Sequence, residues 1–257
     1  MRWINSPGTL TAALLLLSPF LAAAQSPQAQ PAQPPAPVTL PQPQQPVPGV
    51  PGQSTAQVQP RFLVVLDAAH GGQDTGARIS DTLAEKSIVL SLSVRLRSTL
   101  NAHGIGVVTT RESDVDLAPS ARAGDANHAQ AAACILLHAT ATGSGVHLFN
   151  SSLAPAPGTR FAPWQSAQSG YITQSLRLSS DIDSALAHAQ IPVTLGRASV
   201  APIDNLTCPA VAIEIAPLAA GNTTKAESLS DPSYQKSIID AITAALEQWR
   251  NDWRQQP

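Results

Sequence analysis

From Phe62 onward, short apolar runs alternate with segments of helical periodicity, and this alternation limits the fold more than any other feature of the chain. Phe62-Leu63-Val64-Val65-Leu66 is continuous enough for a strand buried on both faces, and it ends in Asp67 and a glycine pair. Ile88, Leu92, Leu96 and Leu100 then recur at helical spacing between about Glu85 and Ala102, with Gly104 as a stop. Val107 to Thr110, Cys134 to Leu137, Val146 to Phe149 and Ala210 to Ile213 read as further strands. Helices are expected over Ser120 to Ala133, Gln174 to Ala189 and from Pro232, whose fixed φ suits a first helical turn. Such a chain folds as one α/β domain, a mostly parallel sheet flanked by helices, here spanning 61–257. The Pro-, Gly- and Ser-rich stretch from Ser151 to Ser169 is read as a long loop at the mouth of the site.

The first sixty residues differ in kind. Arg2, an apolar run from about Leu10 to Ala23 and Ala22-Ala23-Ala24 before Gln25 have the pattern of an export signal over 1–24. Ser18 and Pro19 interrupt that run, which falls short of the roughly 20 apolar residues a membrane span requires. Residues 25–60 are dominated by Pro, Gln and Ala and carry few large apolar side chains, so they cannot offset their ordering entropy; a disordered Pro/Gln-rich tether is expected. The mature chain is therefore expected to be periplasmic or otherwise extracytoplasmic, without a membrane span, and monomeric. A formal net charge of −2 and the lack of any Lys/Arg run argue against nucleic acid as a partner.

The two cysteines, Cys134 and Cys208, both begin apolar runs and are expected to be buried free thiols. With His138 and Glu214 level at the ends of neighbouring strands, the cysteines are offset by two residues. Extended geometry then separates their Cα atoms by roughly 8 Å, beyond ordinary disulfide reach.

Open α/β sheets keep their chemistry at the carboxyl ends of strands. His70 follows the first strand, His138 the third and Glu214 the last, while Glu85 opens the first helix. Two imidazoles and a carboxylate suit a catalytic zinc that keeps one position open for water. A further carboxylate, Glu214, is then available as general base, and as a group at the end of an apolar strand it is not readily dismissed as structural. Taken singly, either histidine or Glu85 has an ordinary structural account. His103, His128, His147 and His188 lie in or beside helices or in a strand and are read as surface or structural. H-E-x-x-H, G-x-S-x-G, G-x-G-x-x-G and G-K-[ST] patterns are absent, which disfavours the common helix-based zinc proteases, serine hydrolases and phosphate-loop or dinucleotide proteins.

VVLDAAHGGQDTGA, Glu85-Lys86, TTRESD from Thr109, ARAGDAN ending at Asn127, LLHATA around His138 and PAVAIEI around Glu214 occur in an order that resembles the zinc-dependent N-acetylmuramoyl-L-alanine amidases of the Amidase_3 type. The resemblance runs from about Phe62 to Leu246. It implies that His70, Glu85 and His138 bind one zinc ion and that Glu214 is the catalytic carboxylate. The implied substrate is the amide between N-acetylmuramic acid and L-alanine in peptidoglycan, cut during cell-wall remodelling or daughter-cell separation. An activating partner is left open. Arg111, Arg122 and Asn127 also match family positions, and salt bridges and helix contacts account for them. Three places that bear on turnover depart from the family pattern: Ala69 and Thr140, where Gly and Asn are usual, and Leu136-Leu137, where Ser-Ile is usual; Ile215-Ala216-Pro217 also stands where an apolar run containing Gly and Phe is usual. A peptidoglycan-binding or scaffold protein of the same fold, with turnover lost through those changes, is the competing reading. A zinc peptidase acting within the stem peptide is the third.

Overall fold

The computed structural model describes residues 62–156, 163–219, 226–227 and 229–254. The expected export signal and tether lie outside the described residues. Strands β1 (Leu63–Ala68), β2 (Gly106–Thr109), β3 (Ala133–Ala139), β4 (Val146–Asn150), β5 (Val193–Arg197) and β6 (Ala210–Ile215) form one sheet in the order β2-β1-β3-β6-β4-β5. Each neighbouring pair is parallel except β4 and β6, which run antiparallel. Leu218–Ala219 and Ala226–Glu227 make a small separate hairpin, β7 and β8.

Both faces of the sheet are covered, which is why its central strands are almost uninterruptedly apolar. Val64, Leu66, Ile135, Leu137, Val211 and Ile213 point to one side. There they pack under α1 (Glu85–Ala102), α3 (Ile172–His188) and α4 (Pro232–Arg254) through Leu92, Leu96, Leu178, Ile182, Ile238 and Ile242. Alternate residues Val65, Cys134, Leu136, Ala210 and Ala212 point to the other side and meet Ala123 and Ala126 of α2 (Pro119–His128) with Ile203 and Leu206. This second layer is thin because its helix presents small side chains. Among the described residues no helix is long and apolar enough to cross a membrane.

Chain ends of the elements follow local chemistry. Pro232 opens α4, and the carboxylate of Asp231 accepts the amide hydrogens of Ser233 (2.9 Å) and Tyr234 (2.8 Å), as an N-cap does. Helix α2 stops five residues short of the expected Ala133: Gln130 turns to φ 49°, a left-handed conformation that ends the helix, and β3 begins at Ala133 itself. Strand β5 carries no legible apolar alternation because it is an edge strand with an exposed surface.

Two expectations are corrected. The described parts of the segment expected at the mouth of the site, 151–156 and 163–169, lie at the opposite end of the sheet. Because β4 is antiparallel to β6, its last residue reaches the amino end of β6, where Asn150 donates to the carbonyl of Ala210 (3.3 Å). The segment leaves from there, and its second half forms a 3-10 helix, Trp164–Gly170, pinned by Gln168 to the carbonyls of Leu206 (2.9 Å) and Cys208 (3.0 Å).

Cys134 and Cys208 are joined in a disulfide, with Cα atoms 6.0 Å apart. The two-residue offset is present, since Cys134 is in register with Ala210. What fails is the assumption of an extended chain before β6. Strand β6 starts only at Ala210, and the preceding turn folds toward β3, so that the Pro209 carbonyl accepts the Cys134 amide hydrogen at 2.8 Å. The bridge closes a sequence separation of 74 residues, for which restriction of the unfolded chain contributes roughly 4 kcal/mol. A Cys134→Ala/Cys208→Ala protein is expected to lose about 2–4 kcal/mol of unfolding free energy in denaturant titration, and reductant should lower the wild type by a similar amount while leaving the variant unchanged. Two free thiols in denatured, unreduced wild-type protein would refute the bridge.

Candidate active site

Strand periodicity places the candidate residues. Along β3 and β6, His138 and Glu214 share the parity of Leu136 and Ala212, so both side chains lie on the α2 side of the sheet. They are direct register partners, as are Glu214 and His147 of β4. One row across three strands therefore reads His138, Glu214, His147, with neighbouring strands roughly 4.8 Å apart.

His70 comes from the turn after β1. Its φ is 61°, followed by Gly71 at 133° and Gly72 at 59°, a run that reverses the chain sharply. Two buried arginines hold that turn. Arg111 donates to the carbonyls of Ala68 (2.7 Å) and Ala69 (2.9 Å); Arg122, from α2, donates to Ala68 (2.7 Å), His70 (2.5 Å) and the buried carboxylate of Asp67 (2.9 Å). Their expected structural role is what these contacts describe. Asn127 is likewise structural, bonding the chain at Asn205 and Thr207.

Glu85, the first residue of α1, lies between the two imidazoles. Its Oε2 is 3.2 Å from His70 Nε2 and its Oε1 is 3.0 Å from His138 Nδ1. The backbone amides of Ala77 (2.7 Å) and Ala139 (3.1 Å) donate to the same two oxygens. Burial opposes ionisation of this carboxyl, but the hydrogen bonds from His138, His70 and those amides outweigh it and hold its pKa well below the usual carboxylate range. The bond to Glu85 raises the pKa of His70 against the opposing effect of burial, and Asp74, 2.7 Å from His70 Nδ1, adds to the rise.

The structure thus brings His70, Glu85 and His138 together, with one candidate ligand atom from each within 4.8 Å of the others. Donor chemistry fits zinc: two imidazole nitrogens, one carboxylate oxygen and a second carboxylate, Asp74, orienting the far nitrogen of His70. An orphan supports the fit, since His138 Nε2 is buried with no hydrogen-bond partner. Glu214 stands beside this group without belonging to it. Its side chain is 31% exposed against 5% for Glu85, so the buried carboxylate of the site is Glu85 rather than Glu214.

His147, expected to be surface or structural, has its Nδ1 2.7 Å from Glu214 Oε2. The sequence pattern concealed it because only the antiparallel placement of β4 puts that strand beside β6. Of the other histidines, His103 pairs with Glu247 at 3.2 Å on the surface, and His128 and His188 end exposed helix turns.

The three departures have local accounts. Ala69 is buried and gives its carbonyl to Arg111. Leu136 points into the α2 layer rather than toward His70 or Glu85. Thr140 turns the chain after β3, its Oγ1 accepting the Thr142 amide hydrogen at 3.2 Å.

The α/β sheet thus carries at its strand ends a two-histidine, one-carboxylate cluster that could hold a metal ion, with a further carboxylate, Glu214, outside it. Residues 64–248 match the family model described as N-acetylmuramoyl-L-alanine amidase, and the chain belongs to that family, Amidase_3. It is 27% identical over 197 residues to the germination-specific N-acetylmuramoyl-L-alanine amidase of Bacillus subtilis, covering 70% of this chain and 76% of that one. With the amidase AmiC of Neisseria meningitidis it is 32% identical over 107 residues, 39% of this chain and 26% of the relative. The same fold occurs in the catalytic domain of the amidase CwlV from Bacillus (Paenibacillus) polymyxa var. colistinus, with TM-score 0.57 and 21% identity over 74% of this chain and 98% of that one. Ami1 of Mycobacterium smegmatis shares it at TM-score 0.58 and 19% identity, over 74% and 97% of the respective chains.

Gly76 offers a direct probe of this cluster. Its φ is 64°, and a Cβ there would stand 2.6 Å from both Glu85 Oε2 and His70 Cδ2. Gly76→Ala should push those two groups apart and weaken zinc binding roughly 10- to 100-fold in chelator competition, the scale seen when support around a metal ligand is lost. Unchanged affinity in the folded variant would remove Gly76 from the design of the site.

Proposed function

We propose that this protein is a zinc-dependent amidase that hydrolyses the bond between N-acetylmuramic acid and the L-alanine of the peptidoglycan stem peptide. One observation carries the reading: the cluster of His70, Glu85 and His138 lies beside a carboxylate, Glu214, that is in register with His138 and takes no part in the cluster. Membership of the amidase family supplies the substrate class.

His70, Glu85 and His138 would hold the ion. When bound, zinc supplies a Lewis acid for the scissile carbonyl and lowers the pKa of a coordinated water to about 7. Asp74 and the amides of Ala77 and Ala139 orient His70 and Glu85, so that the donors need little rearrangement. Glu214, one strand over, accepts the proton of the attacking water on its carboxylate and then returns it to the alanine nitrogen as the amide breaks. Its partial exposure suits a group that must meet both water and substrate. Such an enzyme acts outside the cytoplasm, in wall remodelling or daughter-cell separation, consistent with the export pattern in the sequence of residues 1–24.

Digestion of purified muropeptides tests the reaction. Release of free stem peptide is the expected outcome. Products that keep the muramic acid to alanine bond would indicate a peptidase instead, and binding without release a scaffold. The assignment of roles is tested on two variants. Glu85→Ala is expected to lose zinc, because one of only three protein ligands is gone. Glu214→Gln should keep zinc but turn over roughly 10²- to 10⁴-fold more slowly, since the amide cannot accept the water proton. A metal-free Glu214→Gln protein, or one with wild-type turnover, would show that the two glutamates have been assigned the wrong roles.

A further inference from the structure

We propose that His147 is a positioning residue for the reaction, fixing the rotamer of Glu214 so that one carboxylate oxygen is held and the other is left to take the water proton. The inference rests on the reading of Glu214 as the general base.

The contact itself is short and direct. His147 Nδ1 lies 2.7 Å from Glu214 Oε2, between residues that face each other across the antiparallel β4–β6 pair. An ionised carboxylate can only accept, so Nδ1 carries the hydrogen and donates it. Oε2 is thereby occupied, and among the described residues nothing pairs with Oε1. Without a partner, a partly exposed glutamate samples several rotamers, and ordering such a side chain costs conformational entropy. A hydrogen bond from a fixed ring offsets that cost before substrate arrives, which is the condition for a general base within reach of its proton.

The ring is itself held. Gly143, at φ 85°, closes the turn between β3 and β4 over its edge: a Cβ there would lie 2.5 Å from His147 Cε1 and 2.8 Å from Nε2. Phe149, two residues along the same face, stands edge-on with ring centroids 6.4 Å apart at 79°. Phe149 in turn fills the space over Gly196 of β5, where a Cβ would come within 2.8 Å of its ring. His147 is only 17% exposed and is not one of the three grouped ligand candidates. Among the described residues its single side-chain polar link to the site runs through Glu214.

The test compares His147→Ala, His147→Asn and both changes in a Glu214→Gln background, using zinc-loaded full-length protein and muropeptide turnover. His147→Ala should lower kcat roughly 10- to 100-fold, the usual cost of removing an outer partner of a catalytic group, with KM, zinc content and thermal unfolding near wild type. His147→Asn, whose side-chain amide can donate from the position of Nδ1, should restore most of the loss. In the Glu214→Gln background, His147→Ala should slow turnover little further, because the residue acts through the group already removed. Should His147→Ala unfold, His147→Leu keeps the volume without the donor and serves the same comparison. Wild-type kcat in the folded Ala or Leu variant, failure of Asn to rescue, or an equal loss in the Glu214→Gln background overturns the proposal. If Glu214→Gln alone is fully active, the general-base reading fails and this inference with it. If Glu214→Gln is slow and His147→Ala is not, only the role of His147 fails.

Discussion

The carboxylate of Glu85 is the constraint on which the site depends. It is almost fully buried, and burial of an ionised carboxyl is unfavourable unless donors surround it. Its two oxygens gather His70 from the turn after β1, His138 from the end of β3, and the amides of Ala77 and Ala139. Three separate pieces of chain, at His70, at Ala77 and at His138-Ala139, are thus tied to the first residue of α1. The same surroundings keep Glu85 ionised, which is the state a cation requires, while the unpaired buried nitrogen of His138 leaves the cluster short of one partner. Arg111 and Arg122 do the complementary work beneath it. They satisfy the carbonyls of the strained β1 turn and neutralise Asp67, so that His70 is held in a left-handed conformation without a glycine. Removing one partner of a buried pair such as Arg122 and Asp67 leaves an uncompensated charge, typically 3–5 kcal/mol of destabilisation.

Strands β4 and β5, which run antiparallel to the other four, divide the sheet into two working ends. At the carboxyl ends of β1, β3 and β6 stand the ligand candidates and Glu214, and β4 enters there, bringing His147 beside Glu214. At the opposite end β4 leaves with the segment after Ser151, Gln168 pins the 3-10 helix to the chain before β6, and the Cys134–Cys208 bridge joins β3 to the approach of β6. Stapling is therefore confined to the end where no chemistry is placed.

The departures from the family pattern fall into this scheme. Ala69 needs no left-handed backbone, since the reversal is taken by His70, Gly71 and Gly72. Leu136 belongs to the thin layer under α2, where an apolar side chain adds to the core beside the disulfide. Thr140 closes the turn after β3 with its own hydroxyl. None of the three touches the His70, Glu85 and His138 cluster through a hydrogen bond, so the cluster is assembled independently of them.

What the sequence determined by itself was the class of fold and the candidate ligands. Runs of β-branched and aliphatic residues buried on both faces could only be inner strands of a covered sheet, and His70, His138 and Glu214 at their ends followed from strand length. Glu85 was legible as a helix-opening carboxylate near His70 in the chain, though not as the buried centre of the cluster. Tertiary structure decided what periodicity does not encode. The direction of β4 depends on long-range pairing, not on its own five residues; that direction takes the chain after Asn150 to the far end and puts His147 against Glu214. The cysteine pairing turned on two residues before β6 bending rather than extending, a difference of a few ångströms that no spacing in the chain specifies, because backbone direction outside a strand is set by what the neighbouring strand offers to bond.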